Sequence, residues 1–355
     1  MQSKLTLLIF MFANITAMAG CADKNSISPL KPVEFGKMIE SSPETALLDV
    51  RTPEEYATGY IPGAVNIDAQ APEFIAEVQA RFPTSQPLAL YCRSGRRSAE
   101  AATRLKSEGY DVSDLDGGIM AWEESLLPVT TGPTDLYYTK GGVEVVIQPL
   151  IHASIRIIAD GKEIEIDPVT KLGDRTTDYT QFPPADVILV THEHHDHLDP
   201  EAIKTLSKTD TTVIANPRSV EILGFGKALK NGDTLHVDSD ITIEAVPAYN
   251  TSPERLQFHP QGRDNGYILT LAGIRIYVAG DTEVIPEMEN FKDIDIAFLP
   301  CNLPYTMTPD QFIEAAKIIR PRVVYPYHYG DTDLSSITTA LAADGIYVRI
   351  CPFDP

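Results

Sequence analysis

An α/β fold in two units is what the 355-residue sequence predicts, and three observations carry that expectation. Between about residues 28 and 129, short apolar runs alternate with helical segments, the rhythm of a parallel strand-and-helix unit. The stretch Pro128-Val129-Thr130-Thr131-Gly132-Pro133-Thr134-Asp135 is dense in turn residues and marks a boundary. Beyond it, strand-like runs come in pairs, with Asp160-Gly161 as a hairpin turn between two of them.

Composition narrows the setting. At 43% hydrophobic and 22% charged residues, the chain is ordinary globular protein. Its 29 Lys and Arg against 50 Asp and Glu leave a net −21, which disfavours nonspecific adhesion to polyanions, so no nucleic-acid partner is expected. At the N-terminus, Lys4 precedes an apolar run over 5–12 and the small-residue end Met18-Ala19-Gly20-Cys21. That is a secretory-signal pattern, too short for a comfortable membrane span. Its end resembles a bacterial lipobox. The resemblance implies a signal peptide over 1–20, a linker over 21–29, lipidation of Cys21 and a lipid anchor in the bacterial cell envelope. Asp23 leaves inner or outer membrane open. Of the other cysteines, Cys301 and Cys351 follow apolar runs and read as buried thiols, too few for a disulfide scaffold.

Cys92 is of another kind. It stands between the strand-like run Pro87-Leu88-Ala89-Leu90-Tyr91 and the helical stretch that begins near Ala99. A cysteine there faces free backbone N–H groups and the positive end of a helix dipole. Arg93, Arg96 and Arg97 add to that field, which favours a thiolate nucleophile. With Leu47-Leu48-Asp49-Val50-Arg51-Thr52-Pro53-Glu54-Glu55-Tyr56, Gly59-Tyr60-Ile61-Pro62-Gly63-Ala64 and Asp116-Gly117-Gly118-Ile119-Met120-Ala121-Trp122, this segment resembles a single-domain rhodanese over about 100 residues. Tyr60 departs from the histidine common before Ile-Pro-Gly. The resemblance implies a parallel sheet with helices on both faces over 30–129. It also implies a loop of Arg93, Ser94, Gly95, Arg96 and Arg97 around a Cys92 persulfide, and a sulfur donor such as thiosulfate or a persulfide. The Cys-x4-Arg spacing is tighter than the Cys-x5-Arg of related phosphatases. Phosphatase or arsenate reductase chemistry is the alternative, and a sensing or docking domain without turnover stays open.

In the second unit, over 130–355, the apolar run 187–190 leads directly into His192, His194, His195, Asp196 and His197. Imidazole and carboxylate are zinc's preferred ligands after thiolate, and a cluster this dense is usually gathered around a cation. In a loop at a buried strand's end, His192 and His194 can face one metal position while Asp196 and His197 face another. Asp199-Pro200-Glu201 supplies an N-cap and a first-turn proline for a following helix. The H-x-H-x-D-H pattern resembles the metallo-β-lactamase-fold hydrolases, which implies an αββα sandwich. Family motifs then mark Asp281, in Ala279-Gly280-Asp281, as a carboxylate able to bridge two cations, and His328 as the histidine closing the second site.

The family's third histidine for the first site is missing where Ala245-Val246-Pro247-Ala248-Tyr249-Asn250 ends in asparagine. Three outcomes are open: Asn250 binds weakly, orients water or contacts substrate; His259 swings in as ligand or substrate contact; or one tight metal is held. His152 resembles a Gly-His-Ala element near the active site in the lactonase-like branch, in a role behind the ligands or a structural one. Tyr305 sits on a loop at the Asp281 rim, as a hydrogen-bond donor to substrate or as packing. His195 and His236 are not expected to be ligands.

Together these readings describe a metal-dependent hydrolase resembling the ascorbate-6-phosphate lactonase and phospholipase D branch, fused to a sulfurtransferase. It would cleave an ester, lactone or phosphodiester bond of a small molecule with water activated by one or two metal ions, zinc first and manganese or iron also possible. Asp196 would hold the attacking water and pass its proton onward. The alternatives are a persulfide dioxygenase with one iron and a non-catalytic sensing protein.

Overall fold

The computed structural model describes residues 28–353, so the expected signal peptide and the lipidation at Cys21 lie outside the described residues. Among the described residues, no helix is long and apolar enough to cross a membrane. The first unit is a parallel sheet in the order Val65–Asn66, Ala46–Asp49, Leu88–Tyr91, Val112–Asp114. Its strands are buried on both faces, as their unbroken apolar sequence requires. Leu48, Leu88 and Leu90 pack with Phe74, Val78, Ala101, Ala102 and Leu105 from helices Phe74–Arg81 and Arg96–Ser107. Leu47, Ala89 and Tyr91 point the other way, to Phe35, Ile119 and Trp122.

The second unit is a sandwich of two sheets. One has eight strands among the described residues and holds the hairpin Ile155–Ala159 and Lys162–Ile166, whose turn residues Asp160 and Gly161 take the left-handed conformation at φ 49° and 73°. The other has seven and holds Asp264–Leu271, Ile274–Val278, Ile296–Pro300 and Val323–Tyr327 side by side. In the strand Ala185–Val190, Val187 and Leu189 face the opposing sheet, while Ile188 and Val190 meet Ala202, Ile203 and Leu206 of helix Pro200–Leu206. On the far side, helices Pro309–Ile319 and Ser335–Ala342 press Phe312, Ala316, Ile337 and Leu341 onto the outer face of the seven-stranded sheet. Helix, sheet, sheet, helix is the resulting order of layers.

The turn-rich junction does not hold the two units apart. Val129–Thr130 is the edge strand of the eight-stranded sheet, and Tyr60 of the first unit bridges to Thr130. Trp122 sits edge-on between Phe35 at 6.4 Å and Tyr347 of the second unit at 5.4 Å, and its Nε1 donates to Pro128 O. The Val348 N–H donates to Glu40 Oε1 at 2.6 Å, and burial pushes that carboxyl up to about 8. The inward face of the first unit and the interior of the sandwich thus form one contiguous apolar core. Trp122, the single tryptophan, reports that seam. Trp122→Ala should cost about 3–5 kcal/mol, and in the parent chain tryptophan fluorescence and far-UV circular dichroism should lose signal at one common guanidinium midpoint. Two separated midpoints would show that the units fold independently.

Candidate metal centre

Strand ends build the site. The loop after Ala185–Val190 carries His192, His194, Asp196 and His197, and closes with the His197 and Leu198 N–H groups donating to His194 O. Asp281 follows the strand Ile274–Val278 through Gly280, whose φ is 64°. A Cβ on Gly280 would lie 2.7 Å from Asn265 O and 3.3 Å from Thr191 Cβ, so only glycine lets this turn approach the histidine loop. His328 follows Val323–Tyr327, and His152 sits in the turn before Ile155–Ala159. Both are non-glycine residues at positive φ, 49° and 59°, and the His328 N–H donates to His152 O at 3.0 Å. Backbone strain of this kind persists where packing imposes it and gathers at functional sites.

These side chains converge in two groups that share a centre. Ligand atoms of His192, His194 and His259 lie within 4.8 Å of one another, as do those of Asp196, His197, His328 and His152. Asp281 stands between them: Oδ2 is 3.2 Å from His259 Nε2 and 3.3 Å from His328 Nε2, and Oδ1 is 3.4 Å from His197 Nε2. His197 Nε2, His328 Nε2 and Asp281 Oδ1 are buried and without a hydrogen-bond partner among the described residues. Buried polar atoms are normally satisfied, so lone pairs left open toward one point fit a cation.

The ligands are held from behind. Asp167, at the end of Lys162–Ile166, accepts from the Thr191 N–H and hydroxyl at 2.7 Å each and sits 2.8 Å from His197 Nδ1. Asp264 Oδ2 lies 3.0 Å from His259 Nδ1 and also receives Arg263. Such carboxylates fix the tautomer, so that Nε2 of His197 and His259 faces the ion. Neither Asp167 nor Asp264 was singled out from the sequence. The visible signals were a carboxylate ending one strand and another opening the next, which are common patterns.

Electrostatics agrees with an ion site. Burial opposes charge on His197 and His259, but Asp281 with Asp167 and Asp264 outweighs it and lifts them to about 10 and about 9. Burial, reinforced by the neighbouring His197, holds His192 well below the ordinary imidazole range. Asp281 stays ionised because His328 and His197 outweigh its burial.

Asn250 is engaged largely with backbone. It is fully buried, its Nδ2 donates to Tyr305 O at 2.7 Å and Arg255 O at 3.2 Å, and its N–H donates to His259 O at 2.8 Å. It braces the loop through its amide N–H groups, its Oδ1 is buried without a hydrogen-bond partner among the described residues, and His259 is the side chain that groups with His192 and His194. His152 Nε2 lies 3.2 Å from Asp196 Oδ2, and its ring centroid is 3.7 Å from that of His328. His195 points to solvent and His236 is on an exposed strand. Tyr305 is 45% exposed and packs against Phe258 at 5.2 Å; with exposed Leu256 and Leu303 it forms an apolar lip on the two loops beside His259 and His328.

In the first unit, Cys92 ends the strand Leu88–Tyr91 and is 1% exposed. Its Sγ accepts the Gly95 N–H at 3.2 Å and faces the Ser98 hydroxyl at 3.6 Å. Gly118 braces the loop: a Cβ there would lie 2.4 Å from Cys92 O, and the Ile119 N–H donates to that oxygen at 2.8 Å. The arginine field expected around the thiol is weaker than the sequence implies. Both arms of Arg97 are taken by Glu55 at 2.7 Å, a pairing that draws that carboxyl down to about 2. Arg96 is exposed and leans on Glu100, leaving Arg93 and Ser94 exposed at the loop. Both arms of Arg97 thus meet a carboxylate, and the pair closes the side of the loop.

Two outcomes follow for metal loading. Because His197 and His259 hold protons in the metal-free site, zinc binding at pH 7 should release about two protons per chain, read by calorimetry in buffers of different ionisation enthalpy. Their raised values stabilise the metal-free fold fully below pH 6.5 and lose that contribution as pH rises through 9 to 10. Apparent zinc affinity should fall on acidification. Asp264→Asn or Asp167→Asn should weaken zinc binding about 10–100-fold, and unchanged affinity would remove these carboxylates from the site's support.

Comparison with known proteins places this geometry. A beta-lactamase superfamily domain model matches residues 146–328, about half of the chain, and a rhodanese-like domain model matches 31–125. A UPF0173 metal-dependent hydrolase of Thermococcus kodakarensis is 33% identical over 199 residues, 52% of this chain and 84% of its own. One of Ligilactobacillus salivarius is 35% identical over 186 residues, 50% and 82% of the two chains. A crystal structure from Parabacteroides distasonis, designated a metal-dependent hydrolase, is 54% identical with TM-score 0.59 and covers 61% of this chain and 97% of its own. A metallo hydrolase from Ignicoccus hospitalis is 26% identical with TM-score 0.51, covering 59% and 96%. The chain therefore belongs to the beta-lactamase superfamily, as a metal-dependent hydrolase of the metallo-β-lactamase fold carrying a rhodanese-like domain.

Proposed function

We propose that the metal centre hydrolyses an ester, lactone or phosphodiester bond in a small molecule with an apolar flank, and that Cys92 transfers sulfur as a persulfide. One observation carries the first part: His259, His328 and His197 from two donor groups converge on the buried Asp281 carboxylate, and His197 Nε2, His328 Nε2 and Asp281 Oδ1 have no hydrogen-bond partner among the described residues. Three imidazoles on one side, and Asp196 with His197 and His328 on the other, suit two ions, zinc by donor chemistry with manganese or iron as alternatives. A divalent cation held there supplies Lewis acidity and acidifies water.

The chain's own residues supply the rest. Burial works against ionised Asp196, but His152, His197 and His328 outweigh it and hold the carboxyl far below the usual range. So strong an acid orients the attacking water by accepting its hydrogen bond and passes the proton on without keeping it. Burial and His328 push His152 down to about 4, so at neutral pH it is an uncharged partner that anchors Asp196 Oδ2. Leu256, Leu303 and Tyr305 offer the substrate an apolar contact at the mouth. The persulfide dioxygenase reading with one iron is less favoured, because His259 fills the place that made a single-metal site attractive.

For Cys92, attack on the outer sulfur of thiosulfate breaks the S–S bond, releases sulfite and leaves Cys92–S–SH, which cyanide then takes as thiocyanate. The Gly95 N–H and Ser98 hydroxyl are placed to stabilise the thiolate on either side of that exchange. We also propose the lipid-anchored envelope location implied by the segment ending at Cys21.

Metal analysis of the purified protein should find two zinc or manganese ions per chain; one iron would support the dioxygenase instead. With metal retained, Asp196→Asn should lower hydrolysis of a panel of aryl esters, lactones and bis(p-nitrophenyl) phosphate about a hundredfold or more, and undiminished turnover would sink the assignment. Cys92→Ser should abolish thiosulfate-to-cyanide transfer and leave metal content unchanged.

A further inference from the structure

We propose that Glu283 is a positioning residue for the first metal position, acting through the loop that presents His259. Glu283 lies two residues beyond Asp281, is fully buried, and touches no ligand imidazole in any recorded contact. Its carboxylate instead gathers the start of the His259 loop. The N–H groups of Thr251 and Ser252 donate to Oε2 at 2.7 and 2.6 Å, and the Ser252 hydroxyl donates to Oε1 at 2.7 Å. Arg255 Nη1 reaches Oε1 at 2.5 Å, and Gln311 Nε2 adds a longer contact at 3.3 Å.

The start of the loop, which these bonds pin, has little cover of its own. Thr251 is exposed and Ser252 half-buried, and residues 250–259 contain no helix or strand. Its fold-back is completed by Asn250, whose N–H donates to His259 O. One end of the loop is thereby tied to Glu283, and the other delivers His259 Nε2 to Asp281 Oδ2 at 3.2 Å. Glu283 and Asp281 leave the same strand, so a single turn sets both the shared carboxylate and the loop that brings the third imidazole. A buried carboxylate receiving six donors from one loop and a helix, the Thr251 hydroxyl at 3.2 Å included, is worth more to geometry than a neutral acceptor there. The same turn also sets Arg255, which donates to Thr306 O in the neighbouring lip loop.

The inference rests on the reading of a metal at this cluster and needs no hydrolysis, so it is tested without substrate. Zinc is titrated into metal-free parent and Glu283→Gln chains against a competing chromophoric chelator, and cobalt is titrated separately for its visible spectrum. The expected result is loss of affinity by about 10–100-fold for one class of site, with the other class unchanged, and a cobalt spectrum altered in the manner of His259→Ala. Glu283→Asp should restore part of the affinity. Arg255→Met, at the outer edge of the network, should give a smaller loss and serves if Glu283→Gln does not fold. Parent-like affinity in a folded Glu283→Gln overturns the proposal. So does equal weakening of both classes, or reduced stability of the metal-free chain with affinity intact. If affinity falls as expected while no substrate is hydrolysed, the positioning role stands and the hydrolase reading alone fails.

Discussion

His192, His197, His259, Asp281 and His328 are buried close to one another, and His197 Nε2, His328 Nε2 and Asp281 Oδ1 have no hydrogen-bond partner among the described residues. Taking such groups out of water is costly unless they are neutralised, and protons on His197 and His259 are a partial remedy. The rest of the second unit can be understood as what holds this arrangement together. Asp167 and Asp264 hold imidazoles from behind, Gly280 admits the Asp281 turn, and of two left-handed histidines the His328 N–H donates to His152 O while the His152 N–H donates to Phe353 O.

That constraint explains why the sandwich is so heavily buried. Ligands arrive from the ends of strands in both sheets, and their separation depends on how the sheets meet. Val187 and Leu189 of one sheet and Tyr267, Ile276 and Phe298 of the other lie in one core, which keeps those ends in register. The rhodanese-like domain is fused to the same core through Phe35, Trp122 and Tyr347. A close-packed interior transmits displacement poorly tolerated by a metal site, so the first domain's seam is part of the scaffold of the second.

The Cys92 loop follows a different economy. Its cysteine is buried, framed by one N–H and one hydroxyl, and backed by Gly118, where a side chain would collide with Cys92 O. Counting arginines in sequence overstated the positive field, because a carboxylate far away in the chain, Glu55, had claimed Arg97. Charge is read from residue types; its compensation depends on which residues become neighbours.

Much of this molecule was legible from local pattern. Apolar runs of strand length, the Asp160-Gly161 turn, the Asp199 cap and the contiguous histidine loop are all short-range features, decided by residues within one or two turns of each other. The two-unit α/β fold and the pairing of a rhodanese-like loop with a cluster able to hold a metal followed from them. The choice between Asn250 and His259 was another matter, for it depends on a ten-residue loop folding back so that the asparagine binds backbone while the histidine reaches the ligands. The supporting carboxylates Asp167, Asp264 and Glu283 were equally silent, since an acidic residue at a strand end has no distinguishing spacing. Sequence determined the two domain families and the candidate residues, because the histidine loop and the Cys92 loop announce themselves by residue type and proximity. Tertiary structure alone decided which side chains complete and orient the site, because those are contacts between segments that only the packed sheets bring together.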